Sequence, residues 1–212
     1  MENPVIIFGA GATGAQVYDL FRRNDVIVYG FLDDNKALHN TELGEVTILG
    51  DTDDGGFLKV IGNKCEAFVA ISERSVREKL VEMLQTRRKT MPVNAIHESA
   101  IVSELAEIGH GNLIGAKASI GAKVKIGHHN FIQSSVDVAP TTTIGNFVNI
   151  DNGAIINKGV TIEDGVFIGS GAIIVAGITI GKNARIGAGS VVVQHVEANQ
   201  TVFGNPAQKI DR

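Results

Sequence analysis

Three glycines, Gly9, Gly11 and Gly14, follow the apolar run Val5-Ile6-Ile7-Phe8 in a Gly-x-Gly-x-x-Gly spacing. Glycines so placed let the backbone approach a phosphate. A helix opening there offers unpaired N–H groups and the positive end of its dipole to an anion. A second apolar run, Val26 to Leu32, ends in Asp33-Asp34, where a carboxylate can accept a hydrogen bond from a ribose hydroxyl or a base N–H. Farther along, polar residues recur every 18 positions: His110, His128, Asn146 and Asp164. Within this column the pair His128-His129 is able to move a proton, or is simply a solvated turn.

The spacing of 18 is three times a shorter period. From Val102 and Ile108 to Ile186 and Val192, every sixth residue is valine or isoleucine, sixteen positions without a break. Neither the helical period of 3.6 nor strand alternation alone produces this pattern. Small or β-branched residues sit two positions earlier (Ala100, Ala118, Val136, Ala154, Ala172), and glycine often follows directly (Gly109, Gly127, Gly145, Gly181). The pattern is a hexapeptide repeat: a short strand and a tight turn every six residues, three to a coil, wound as a parallel β-helix of triangular section. With strands about 4.8 Å apart, the rod has roughly five coils and a length on the order of 25 Å. Each coil buries its apolar edge only against its neighbours, so the ends need caps and the flat faces invite partners. A purely architectural rod is the plain alternative to a catalytic one.

With 212 residues, 44% hydrophobic and 20% charged, the chain has the composition of a folded protein of one large or two small domains. A net charge of −4 argues against nucleic acid or an anionic membrane surface as the main partner. No apolar run reaches the roughly 18 residues of a spanning helix, and the first residues lack the basic segment of a signal peptide. The single cysteine, Cys65, excludes an internal disulfide and reads as a packing residue. A cytoplasmic protein is predicted, with no membrane partner and no metal site.

Residues 1–97 read as an α/β unit. An amphipathic helix with Val17, Leu20 and Phe21 inward joins the two apolar runs. Val46 to Leu49 predicts a strand, Phe57 to Ile61 a short helix, and Ala67 to Ile71 another strand. Ser72 leads into a helix from about Ser75 to Arg88, with Val76, Leu80, Val81 and Leu84 inward, and Val93 to Ile96 is expected as a final strand. About four parallel strands are half of a full dinucleotide domain, so a mononucleotide or nucleotide-sugar cradle is favoured over a whole NAD site. A bare strand–helix turn is the alternative for the glycine motif.

Phe8-Gly9-Ala10-Gly11 and Phe31-Leu32-Asp33-Asp34, joined through Ile96-His97-Glu98-Ser99-Ala100 to a hexapeptide rod that closes with Val202-Phe203-Gly204-Asn205-Pro206-Ala207, resemble one acyltransferase family. Its members are the bacillosamine-pathway N-acetyltransferases and sialic-acid O-acetyltransferases of bacterial surface-glycan synthesis. The resemblance spans essentially the whole chain. It implies a Rossmann-like nucleotide-sugar-binding domain (1–97) and a left-handed β-helix acyltransferase domain with a C-terminal cap (98–212). It further implies a homotrimer with acetyl-CoA, the acyl donor, between neighbouring rods. By motif, Gly9, Gly11, Ala12, Thr13 and Gly14 would meet the nucleotide, Asp33 and Asp34 its base or ribose, and Ser72 stands where the family tends to have glycine. For acyl-CoA the matching positions are Asn149, Gly169, Ser170, Gly187, Ala188, Gly189 and Asn205.

The resemblance also exposes a departure. The family's catalytic histidine, two residues after the inward residue of a middle hexad, falls on Pro140, and its second histidine on Asn149. Proline cannot accept a proton. The remaining catalytic candidates are Asp137, the nearest carboxylate, His128 and Asn149. An amino-sugar amine of depressed pKa is partly neutral near pH 7 and tolerates the loss of a base, whereas a hydroxyl acceptor does not. N-acetylation of a nucleotide-linked amino sugar is therefore the leading expectation. The alternatives are a sialic-acid-type O-acetyltransferase and a non-catalytic trimeric relative.

Overall fold

The computed structural model describes residues 3–210, which fall into two compact units divided between Ala95 and Ile96. The division comes after Ala95 rather than after residue 97, because the His97 N–H already donates to the Ile114 carbonyl at 2.9 Å, a rod hydrogen bond.

In the N-terminal unit, the β-branched apolar run Val5–Phe8 forms β1, buried along its whole length as a central parallel strand must be. The unit continues with α1 (Ala12–Arg23), β2 (Val28–Leu32), β3 (Glu42–Leu43), β4 (Val46–Gly50), α2 (Gly55–Leu58), β5 (Glu66–Val69) and α3 (Arg74–Arg88). The sheet order is β3-β4-β2-β1-β5. β4, β2, β1 and β5 are the parallel strands the sequence predicts; β3 adds an antiparallel edge on β4. From α1, Val17, Leu20 and Phe21 face the sheet, and Phe21 meets Phe68 edge-on with ring centroids 5.9 Å apart.

Two sequence expectations change here. In α3, Leu80, Val81 and Leu84 are buried as expected, but Val76 is 42% exposed and Arg77 is 0% exposed in its place. Arg77, Leu80, Val81 and Leu84 follow i, i+3, i+4, i+7, so the stripe is regular once an arginine is admitted to it. The expected strand Val93 to Ile96 shrinks to Ala95–Ile96 and belongs to the rod's eight-stranded sheet. Val93 keeps one bond to the N-terminal sheet, N–H to Ala67 carbonyl at 2.9 Å.

In the rod, two-residue strands run from Ile101–Val102 to Val191–Val192, each ending on one of the predicted valine or isoleucine positions. From Ile114 to Val192 these residues are at most 4% exposed, and each stacks on its equivalents 18 residues away, as in Ile120↔Val138 and Ile132↔Ile150. The three faces are sheets of six, five and eight strands, the last closed by Thr201–Gly204 and Ala207–Lys209. At each corner one residue takes the left-handed conformation, as in the column Lys117, Ser135, Gly153, Gly171, Gly189 with φ of 58° to 68°. Its N–H donates to the preceding coil, Gly189 to the Ser170 carbonyl at 2.8 Å for example, so the corners are hydrogen-bonded as well as the faces.

Candidate functional site

The carboxyl ends of β2, β1 and β5 carry the first group of site residues. Gly9 has φ 101°, and a Cβ there would meet the Ile71 side chain and the Ala70 carbonyl. A Cβ on Gly14 would collide with the Gly9 carbonyl oxygen, so this glycine lets α1 press against the turn. Gly11 differs: nothing lies within 4 Å of its missing Cβ, and it caps α1 without a side-chain hydrogen bond. The first helical bond of α1 runs from the Ala15 N–H to the Gly11 carbonyl at 2.9 Å, which leaves the Ala12, Thr13 and Gly14 N–H groups outside the ladder. No acidic residue lies in that first turn. Space, free donors and the dipole end coincide, and an anion fits there.

The acidic pair divides its work. Asp33 accepts the Ala10 N–H at 2.8 Å through Oδ2 and the Asn35 N–H at 2.9 Å through Oδ1, bracing the glycine turn against the end of β2. Asp34 is exposed and holds the Thr52 N–H and hydroxyl, both at 2.8 Å, on Oδ1. Ser72 is exposed in the loop after β5. Strand order thus gathers Gly9, Gly11, Ala12, Thr13, Gly14, Asp33, Asp34 and Ser72 at one sheet edge, where open α/β sheets bind ligands. Arg77, beneath that loop, was missed by sequence reasoning because a charged residue does not read as core.

On the rod, the 18-residue column is a ladder of side chains. His128 accepts the His110 N–H on Nδ1 at 3.0 Å, Asn146 accepts the His128 N–H at 2.8 Å, and Asp164 accepts the Asn146 N–H at 2.7 Å. The His110 and His128 rings stack at 5.7 Å. With Nδ1 of His128 accepting the His110 N–H, that nitrogen is already taken, and the other ring nitrogen, Nε2, is the one that carries a hydrogen. His129 is no solvated turn residue: it is 3% exposed and stacks on Phe147 at 4.9 Å.

Pro140 is exposed at a different corner, and its carbonyl accepts the Gly159 N–H at 3.2 Å. At the equivalent position of the other two corners, the N–H is taken by a side chain one coil on, as Ser134 by Asn152 at 3.1 Å. One coil on from Pro140 stands Lys158, which has no acceptor, so proline sacrifices no bond there. Asp137 is exposed on the six-stranded face between Ser119 and Ile155, and Asn149 lies on the eight-stranded face. A single chain does not bring Asp137, His128 and Asn149 together.

The acyl-donor candidates do converge. Asn149 lies on the eight-stranded face, and Gly169, Ser170, Gly187, Ala188 and Gly189 form the next corner over two consecutive coils. Gly153, Gly171 and Gly189 have nothing within 4 Å of their missing Cβ atoms, so this corner is an open edge of bare backbone. Gly187 is spoken for within the chain, since the Phe203 ring packs where its Cβ would be. Asn205 forms the turn between the two closing strands, with a cis bond to Pro206. Two residues past Asn149 comes Asp151, half-buried, whose carboxyl is pushed up by burial. Its column otherwise holds His97, Gly115, Gln133, Gly169 and Gly187, a mixture in which no motif signalled it.

Residues 4–84 match the PglD N-terminal domain family, and residues 159–194 match the bacterial transferase hexapeptide (six repeats). The chain joins a PglD-type N-terminal domain to bacterial-transferase hexapeptide repeats, the two-domain plan of a group of acetyltransferases. Its rod is accordingly the left-handed parallel β-helix of that group. PerB from Caulobacter crescentus, solved in complex with CoA and GDP-perosamine, is 28% identical with a TM-score of 0.90, over 100% of this chain and 99% of PerB. WeeI from Acinetobacter baumannii is 28% identical with a TM-score of 0.86, over 98% and 99% of the two chains. The acetyltransferase domain of PglB from Neisseria gonorrhoeae is 26% identical with a TM-score of 0.89, over 99% and 100%. No curated protein matches the sequence. Among the described residues, no helix is long and apolar enough to cross a membrane.

Proposed function

We propose that this protein is a cytoplasmic homotrimer that transfers the acetyl group of acetyl-CoA to the amine of a nucleotide-linked amino sugar. The observation that carries the reading is the full-length match to PerB, whose structure contains both CoA and GDP-perosamine. The chain's own geometry supports each half. The open helix start at Gly11 suits a nucleotide diphosphate, and the bare corner at Gly153, Gly171 and Gly189 suits a pantetheine arm, whose amides need backbone partners. In the reaction the amine nitrogen forms an amide bond to the acyl carbon, the thioester C–S bond breaks, and the amine's proton is released.

Pro140 favours nitrogen over oxygen as the acceptor. A partly neutral amine needs positioning more than proton removal, whereas a hydroxyl needs a base that this corner lacks. The tied Nδ1 of His128 points the same way. The trimer is supported by the apolar outer surface of the rod, where Ile155, Val175 and Val193 are 39%, 38% and 45% exposed. The test is a panel of UDP-, dTDP- and GDP-linked amino sugars with acetyl-CoA and a thiol reagent. Release of CoA with at least one is expected; release with none overturns the reading. Light scattering should give three times the chain mass of 22.4 kDa.

A further inference from the structure

We propose that Arg77 is a positioning residue for the nucleotide-sugar site, holding the loop between β5 and α3 from beneath so that it forms a fixed wall beside the glycine turn. The proposal rests on the function above. Arg77 is 0% exposed and heads the large side chains that are fully buried. One guanidinium nitrogen, Nη1, donates to the Ile71 carbonyl at 2.6 Å and to the Ser72 carbonyl at 3.1 Å. Ile71 in turn puts its side chain where a Cβ of Gly9 would stand. A continuous line of contact therefore runs from Arg77 through Ile71 to the turn that opens α1.

Core packing does not account for this arginine. Leu80, Val81 and Leu84 fill the same helical stripe with apolar side chains, and a leucine at the first position would avoid the cost of burying a charge. Burial pushes the guanidinium down to about 10, which leaves it cationic at neutral pH. Nor does Arg77 hold α3 in place. Glu73 caps the helix by accepting the Val76 N–H at 2.8 Å, and Arg88 ties the far end to the Ile61 carbonyl at 2.8 Å. What Arg77 alone grips is the pair of loop carbonyls. A lysine carries its nitrogen one bond nearer the backbone than Nη1 and holds its hydration more tightly, so it does not reproduce that grip.

The test compares R77K and R77M with R88M, which loosens α3 at its other end. For R77K and R77M, KM for the amino-sugar nucleotide should rise about tenfold, the cost of one or two charge-assisted hydrogen bonds to a positioned loop. KM for acetyl-CoA and kcat should stay within about twofold, and R88M should lower Tm without moving either KM. An unchanged KM for the sugar nucleotide in folded R77M, an equal rise in KM for acetyl-CoA, or the same rise in R88M overturns the proposal. Heat stabilisation by UDP, GDP and dTDP separates the two readings. If the wild type transfers no acetyl group yet is stabilised by a nucleotide, and R77M loses that stabilisation, the transferase reading fails and Arg77 stands. A wild type that no nucleotide stabilises and that releases no CoA overturns both.

Discussion

Pro140 is where residue chemistry decides most. On the proposed function, with acetyl transfer at this exposed corner, the proline offers no proton acceptor and the substrate amine loses its proton by its own equilibrium. The rate kcat/KM is therefore expected to rise tenfold per pH unit below the amine's pKa, then level off. Replacing the proline by histidine removes no backbone bond and adds an acceptor, so P140H should flatten the acid limb; a wild-type profile already flat from pH 6 to 8 would refute this account. Asp151 makes a second prediction, about stability. Burial raises its folded pKa above the unfolded value, so the fold favours the protonated form. That contribution is fully present below the unfolded pKa and is lost as pH rises through the folded one. At pH 7 the chain holds a half-buried carboxylate, and Asp151→Asn should raise Tm there, with the gain vanishing near pH 3. Thermal melts across that range check it, and a gain independent of pH would contradict it.

Between residue and fold, the glycine turn separates two jobs that one motif conceals. Gly14 is pinned between α1 and the Gly9 carbonyl, a backbone atom that cannot swing aside, so Gly14→Ala should cost about 1–3 kcal/mol of overpacking. Gly11 has ordinary backbone angles, φ −79° and ψ −163°, and open space around its missing Cβ. Gly11→Ala should leave stability within about 0.5 kcal/mol while weakening nucleotide binding several-fold. Thermal denaturation beside nucleotide titration distinguishes the pair, and equal effects of both substitutions on stability would defeat the assignment. The sequence displayed the motif but not this division, which depends on how closely α1 and β1 approach. The same kind of limit explains α3. Hydropathy placed Val76 inward, because the reason for burying Arg77 lies in carbonyls of a different element. The sequence likewise did not show that the two oxygens of Asp33 brace Ala10 and Asn35.

For the molecule as a whole, the rod was legible because one period governs every coil and a single slip would turn all inward residues outward. The corner chemistry was not, since hydrogen bonds such as His128 to His110 join residues by height on the rod, and only the coil geometry says which nitrogen is taken. The regularity has an energetic consequence. Ile150 is 0% exposed, stacked between Ile132 and Ile168, and its removal leaves a void that rigid coils on both sides cannot close. Val102, in the first coil, is only half-buried, with a paired strand on one side. Ile150→Ala should therefore cost about 2–5 kcal/mol, and Val102→Ala roughly 1 kcal/mol or less. Because each coil contacts only its neighbours, the loss at Ile150 should also split the rod's cooperativity. Denaturant unfolding followed by hydrogen exchange would then show the coils on either side of Ile150 opening at different free energies, and a single shared opening energy across the rod would sink the nearest-neighbour account.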